Sequence, residues 1–145
     1  MSFFNSINVS ASGLTAERTR MDIISQNMAN VNTTRTSNGT PYRRKMVLFK
    51  ENNNTFENML SKYTNSAIKS DGVKVSKIVE DKTPLKSTYE PGHPDADENG
   101  YVKKPNVDIV KEMVDMISAS RGYEANITAL NSSKTMAMKA LSIGK

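Results

Sequence analysis

Two amphipathic stretches at opposite ends of the chain, separated by a polar middle, constrain its fold more than any other feature. At the N-terminal end, Phe3, Ile7, Ser10, Leu14, Glu17, Met21, Ile24, Met28 and Val31 recur at three- and four-residue intervals, and seven of these nine positions are apolar. That spacing places them on one face of an α-helix. A helix of about 28 residues is roughly 42 Å long. Ser2 or Asn5 is a candidate cap for its start. At the other end, Ile109, Met113, Met116, Ser120, Tyr123, Ile127, Leu130, Lys134, Ala137 and Leu141 form a second stripe, with eight apolar members out of ten. Val107, Val110, Val114 and Ile117 widen its first half beyond a single seam, so that half is expected to touch more than one neighbour. Pro105 suits a first helical turn, with Asn106 or Asp108 helping at the start, and Gly144 suits a stop.

The region between these stretches changes character. Asn32 to Gly39 is rich in turn formers. Tyr42–Lys50 and Gly72–Glu80 read as strands, the second half-exposed because its valines alternate with lysines. Leu85–Tyr89 is a weaker strand, Phe56–Tyr63 a short helical or irregular turn, and Pro91, Gly92, Pro94, Asp95 and Gly100 build a rigid loop before Tyr101 and Val102. The expected organisation is therefore an N-terminal helix over 1–31, a β-rich and loop segment over 32–104 and a C-terminal helix over 105–145. The fold class is mainly α: long terminal helices packed as an antiparallel coiled-coil-like pair around a small β-rich, partly irregular middle.

Composition narrows the function. The 145 residues suffice for one compact domain, but 37% hydrophobic content and a mean hydropathy of −0.55, with apolar side chains at the ends, describe a chain that needs partners to bury its stripes. Cysteine is absent, which excludes disulfides and thiolate metal sites. The net charge is +5, yet residues 1–31 are neutral and 105–145 carry only +1, so the excess lies in the middle. Nearly neutral helices favour packing on other helices over phosphate contact, and Arg43-Arg44-Lys45 reads as a solvated or interface surface, so no nucleic-acid partner is expected.

His93 with Asp95, Asp97 and Glu98 lacks metal-site spacing, and no nucleophile–base set exists; neither cofactor, metal nor catalysis is expected. Glu112 and Asp115 read as helix charge patterning with Lys111 and Arg121. Gly122, inside the second helix, marks either a tolerated glycine or the close approach of a neighbouring helix. The methionines suit adaptable packing. No run approaches a membrane span, and the first charge, Glu17, comes too late for a basic-then-apolar leader, so any export is expected without a cleaved signal peptide.

The residues also carry a family resemblance. Gly13-Leu14-Thr15-Ala16, followed by Asn27-Met28-Ala29-Asn30-Val31-Asn32-Thr33, resembles the GL-A and NxANxxT elements of bacterial flagellar rod and hook proteins. Glu112-Met113, then Arg121, Tyr123, Ala125 and Asn126, resembles that family's C-terminal helix. Tyr89 to Asp97, with Gly100-Tyr101-Val102 and Pro105-Asn106-Val107, and the short length are similar to the family's proximal rod member.

The resemblance implies a structural subunit of the basal-body rod in the periplasm, exported by the flagellar type III apparatus. It implies stacking with other rod subunits and copies of itself, contact with proteins at the MS-ring/rod junction, and terminal helices lining the inner tube, without membrane insertion. The runner-up function is a soluble helical adaptor or export chaperone. Candidate interface residues are Phe3, Ile7, Leu14, Met21, Ile24, Met28 and Val31 on the first stripe, and Ile109, Met113, Met116, Ile117, Tyr123, Ile127, Leu130, Ala137 and Leu141 on the second. Asn27, Asn30 and Asn32 join them as amides able to cap or bridge at the helix exit. Asn5, Ser6, Asn8, Ser10, Ser12 and Gly13 make the first turns weak helix formers, so the N-terminal helix is expected to be largely unfolded in the free subunit and to order on assembly.

Overall fold

The computed structural model describes residues 3–52 and 72–143. Helix α1 spans Phe3–Ala29 and helix α2 spans Ile109–Ile143. Between them lie strands β1 (Lys45–Glu51), β2 (Val73–Glu80), β3 (Lys86–Tyr89) and β4 (Tyr101–Lys104), in two separate two-stranded antiparallel sheets, β1–β2 and β3–β4. The turn expected over Phe56–Tyr63 and the stop at Gly144 lie outside the described residues.

The weak first turns of α1 are helical all the same. Asn5 lies inside the helix and does not cap it. Ser12, Thr15 and Thr19 return their hydroxyls to the carbonyls of Val9, Ala11 and Thr15, which removes their competition with the helical ladder. The far end is closed by Asn30, whose amide donates back to the Gln26 carbonyl at 2.8 Å while its Oδ1 accepts from the Thr33 hydroxyl.

Helix α2 begins later than the proline suggests. Asp108 is the cap: its Oδ1 accepts the Val110 N–H at 3.0 Å, and its carbonyl accepts the Glu112 N–H. Pro105 sits four residues before the helix, fully buried, and Asn106 is engaged elsewhere.

Strands β1 and β2 pair from Lys45↔Glu80 to Glu51↔Val73, with a register shift between Leu48 and Phe49 that leaves Ser76 as the extra residue. Gly72, just before β2, has φ +94°, and a Cβ there would stand 2.2 Å from Ser12 Oγ, which accepts the Val73 N–H. Only glycine fits so close to α1 in that conformation. Tyr101 and Val102, placed after a loop by sequence, belong to β4 and pair with β3, and the Tyr89 and Tyr101 rings meet edge to face at 5.4 Å.

The two helices pack on each other and α1 also packs on β1 and β2. Gly13 faces Asn126, Glu17 faces Gly122, Arg20 faces Asp115 and Asn27 faces Glu112. The close approach is at Gly13: a Cβ there would lie 2.9 Å from Asn126 Oδ1, whereas one at Gly122 would make ordinary contact with Glu17 at 3.4 Å. The core is small. Ala16, Ile23, Ile24, Tyr42, Val102, Val107 and Ala119 are its buried apolar side chains. No helix among the described residues is long and apolar enough to cross a membrane.

Candidate assembly interface and the junction behind it

Where the C-terminal end of α1 meets the starts of β1 and α2, three elements form a largely buried polar junction. Asn27 is 1% exposed and Glu112 is fully buried. The Asn27 Nδ2 donates to the Lys45 carbonyl at 2.9 Å and to Glu112 Oε2 at 3.0 Å. Its Oδ1 accepts the Lys45 N–H and the Tyr42 hydroxyl, each at 2.9 Å. A carboxamide has two donors and two acceptor sites, and all four are used. The other Glu112 oxygen accepts from Arg44 Nε, and Arg44 Nη2 reaches Asp115 at 3.2 Å. Arg20, from α1, faces the second Asp115 oxygen at 3.7 Å.

Asn106 fixes the neighbouring backbone. Its Oδ1 accepts the Arg44 N–H at 2.8 Å and its Nδ2 donates to Thr83 Oγ1, also at 2.8 Å. The Asp81 N–H donates to the Arg44 carbonyl at 2.7 Å. A buried carboxylate is tolerable only when paired and hydrogen-bonded, and Glu112 is both.

Electrostatics follow from these contacts. Burial, then repulsion from Glu112 and Glu80, pushes the Tyr42 phenol above its ordinary value. The Thr83 N–H, foremost, holds Asp81 below the ordinary carboxylate value. On the β3–β4 hairpin the Lys104 ammonium donates to Glu90 and lowers it likewise. Glu17 Oε2 is dry and makes no hydrogen bond among the described residues, with Arg20 Nη1 3.9 Å away.

The stripe residues distribute unevenly. Ile24 and Asn27 are buried within the chain itself. Ile7, Leu14, Met21, Met28, Asn30, Val31, Met116, Tyr123, Leu130 and Ala137 are half-buried, and Asn32 is exposed. Phe3 opens α1. Ile109, Met113, Ile117, Ile127 and Leu141 are exposed, as are Val110 at 71% and Val114 at 61%. Met28, Met113, Met116 and Ile117, with Ser25, line an open apolar groove of about 460 Å³.

Sequence reasoning missed the junction. Glu112 and Asp115 take Arg44 and Arg20 as partners, not Lys111 and Arg121, and Arg44 is drawn inward from the basic run expected to form a solvated or interface surface. No local signal could have found the junction, because Asn27 and Glu112 lie 85 residues apart in sequence. Among the described residues, no group of three or more acidic or histidine side chains could hold a metal ion.

The class is thus that of a helical chain whose junction charges pair with one another and whose α2 turns much of its apolar surface outward. Two family models match it, "Flagella basal body rod protein" over residues 7–35 and "Flagellar basal body rod FlgEFG protein C-terminal" over residues 98–143. Over 150 aligned residues it is 53% identical to the flagellar basal-body rod protein FlgC of Bacillus subtilis, covering both chains completely. It is 51% identical to FlgC of Borreliella burgdorferi, with 99% of this chain and 98% of that one covered, and 40% identical to FlgC of Salmonella typhimurium over the whole of both. The chain belongs to the FlgC family of flagellar basal-body rod proteins, and it is a structural rod subunit, not an enzyme. The adaptor or chaperone reading finds no support in these relatives, all of which carry the name of a rod protein.

Proposed function

We propose that this chain builds the proximal part of the rod by burying the outward apolar face of α2 against neighbouring subunits, with α1 and α2 acting as an antiparallel coiled-coil-like pair. The single observation that carries this reading is the run Ile109, Val110, Met113, Val114 and Ile117, all exposed on the first half of α2 and capped at one end by the buried junction. Each such side chain gains roughly 1.5–3 kcal/mol when fully buried, so a neighbour that covers the run supplies a strong association term. The helix pairing is supported by contacts whose α2 number falls as the α1 number rises, from Gly13 beside Asn126 to Asn27 beside Glu112.

The chain then works in three parts, an axial helix at each end (1–31 and 105–145) and a middle segment (32–104) held between them. Its neighbours are other rod subunits, further copies of itself and proteins at the MS-ring/rod junction. Its route to the periplasmic rod is the flagellar export apparatus. The exposed, half-buried and opening stripe residues (Phe3, Ile7, Leu14, Met21, Met28, Asn30, Val31, Ile109, Met113, Met116, Ile117, Tyr123, Ile127, Leu130, Ala137 and Leu141) face those neighbours, while Ile24 and Asn27 serve the chain's own packing. The poorly propensed first turns of α1 and the exposed end of α2, where Leu141 is 77% and Ile143 84% exposed, order fully only inside the assembly.

Replacing Met113 or Ile117 by Asp tests the reading. The purified variants keep wild-type circular dichroism and are exported, yet they are absent from isolated basal bodies and the cells do not swim. Basal bodies containing normal amounts of both variants would show that this face is not the contact.

A further inference from the structure

We infer that the Asn27 carboxamide is a folding latch, through which the seating of α1 on the rest of the chain sets the start of strand β1 and completes the partner shell of Glu112 in one step. The inference concerns the single chain and stands apart from how subunits assemble.

The geometry is that of a side chain standing in for a strand. Lys45 is the first residue of β1, and both its N–H and its carbonyl pair with the same Asn27 amide. On one flank, Tyr42 reaches the same amide oxygen; on the other, Glu112 receives the second amide hydrogen. Four groups from two separate stretches of chain, Tyr42–Lys45 and the start of α2, therefore converge on one residue of α1. Take α1 away and Lys45 loses both backbone partners, the Tyr42 hydroxyl loses its acceptor, and the dry Glu112 Oε2 loses its hydrogen bond. Leaving buried polar groups unmade is costlier than never burying them, so a half-seated state is disfavoured and the groups open or close together. The β3–β4 hairpin takes no part in this set of bonds, and its strands pair with each other. It is the internal reference.

The test is amide hydrogen exchange on the full chain, comparing wild type with Asn27→Ala and with Asn27→Asp. The aspartate keeps the shape of the side chain but turns its two donors toward Lys45 and Glu112 into acceptors. The latch requires exchange at Lys45 and across residues 23–29 of α1 to quicken together by about tenfold or more in both variants, while the β3–β4 hairpin keeps its wild-type rates. Quickening confined to Lys45 would reduce the contact to a local bond and overturn the inference. Equal quickening in the hairpin, or no change anywhere, would do the same. Should neither variant fold, native-state exchange of the wild-type chain in rising denaturant decides. One shared denaturant dependence for Lys45 and residues 23–29 supports the latch, and separate dependences sink it.

Discussion

Tyr42 shows what burial at the junction does to a single group. Its hydroxyl donates to Asn27 Oδ1, and the site lies near the Glu112 and Glu80 carboxylates, so the phenolate is disfavoured on two counts: lost hydration first, like charge second. The folded pKa is raised above the ordinary 10.0. A group raised on folding contributes stability that is fully present below its unfolded value and is lost as pH climbs through its folded value. The stability of the chain should therefore hold up to about pH 10 and then fall, as the phenolate forms and can no longer donate to Asn27. Tyr42→Phe lacks that proton: it is less stable than wild type at neutral pH, and its stability declines less steeply on the alkaline side. Urea unfolding at a series of pH values measures both slopes, and parallel slopes would remove Tyr42 from the account. The comparison with the variant isolates the Tyr42 contribution from that of every other group in the chain.

At the scale of elements, the start of α2 depends on one carboxylate. Asp108 accepts the Val110 N–H through its side chain and the Glu112 N–H through its carbonyl, so it both caps the helix and delivers Glu112 to the junction. Asp108→Ala should cost about 1 kcal/mol in unfolding free energy, the usual loss for a missing N-cap, while Asp108→Asn should cost much less. Equal losses in the two variants would point to charge instead of capping. Both long helices were legible in the sequence because an apolar stripe at helical spacing is a local signal, and the β1 and β2 runs were legible for the corresponding reason at period two. The start of α2 was misplaced because Pro105 and Asn106 carry the look of a helix entrance, although Pro105 is buried ahead of the helix and Asn106 clamps Arg44 and Thr83. The β3–β4 pairing was hidden by the long Pro- and Gly-containing loop that separates Tyr89 from Tyr101. The junction was invisible for a more basic reason: Asn27 and Glu112 meet across a sequence separation of 85, and no periodicity reports such a pair.

For the whole molecule, the same physics that makes the chain fold leaves it unfinished. Burial concentrates along α1, at Tyr42, and from Val102 of β4 through Pro105 and Val107 into the first turns of α2, while α2 turns much of its apolar surface outward along its length. Folding and assembly should therefore draw on different residues, and two substitutions separate them. Ile24 is 5% exposed, so Ile24→Ala removes packed atoms from the core and lowers unfolding free energy by roughly 2–4 kcal/mol. Val110 is 71% exposed in the single chain, so Val110→Asp changes its stability by no more than about 0.5 kcal/mol, as surface positions usually do. In the rod the order reverses. An aspartate at 110 would have to be buried unpaired against a neighbour on the proposed face, whereas a weakened but correctly folded Ile24→Ala subunit is held in place by its neighbours. Urea unfolding of the purified chains, set beside the amount of each variant in isolated basal bodies, gives the two rankings. Opposite rankings are expected; the same ranking in both would mean that the surface of α2 and the core of the chain are one structure, and that the outward apolar face has no separate purpose.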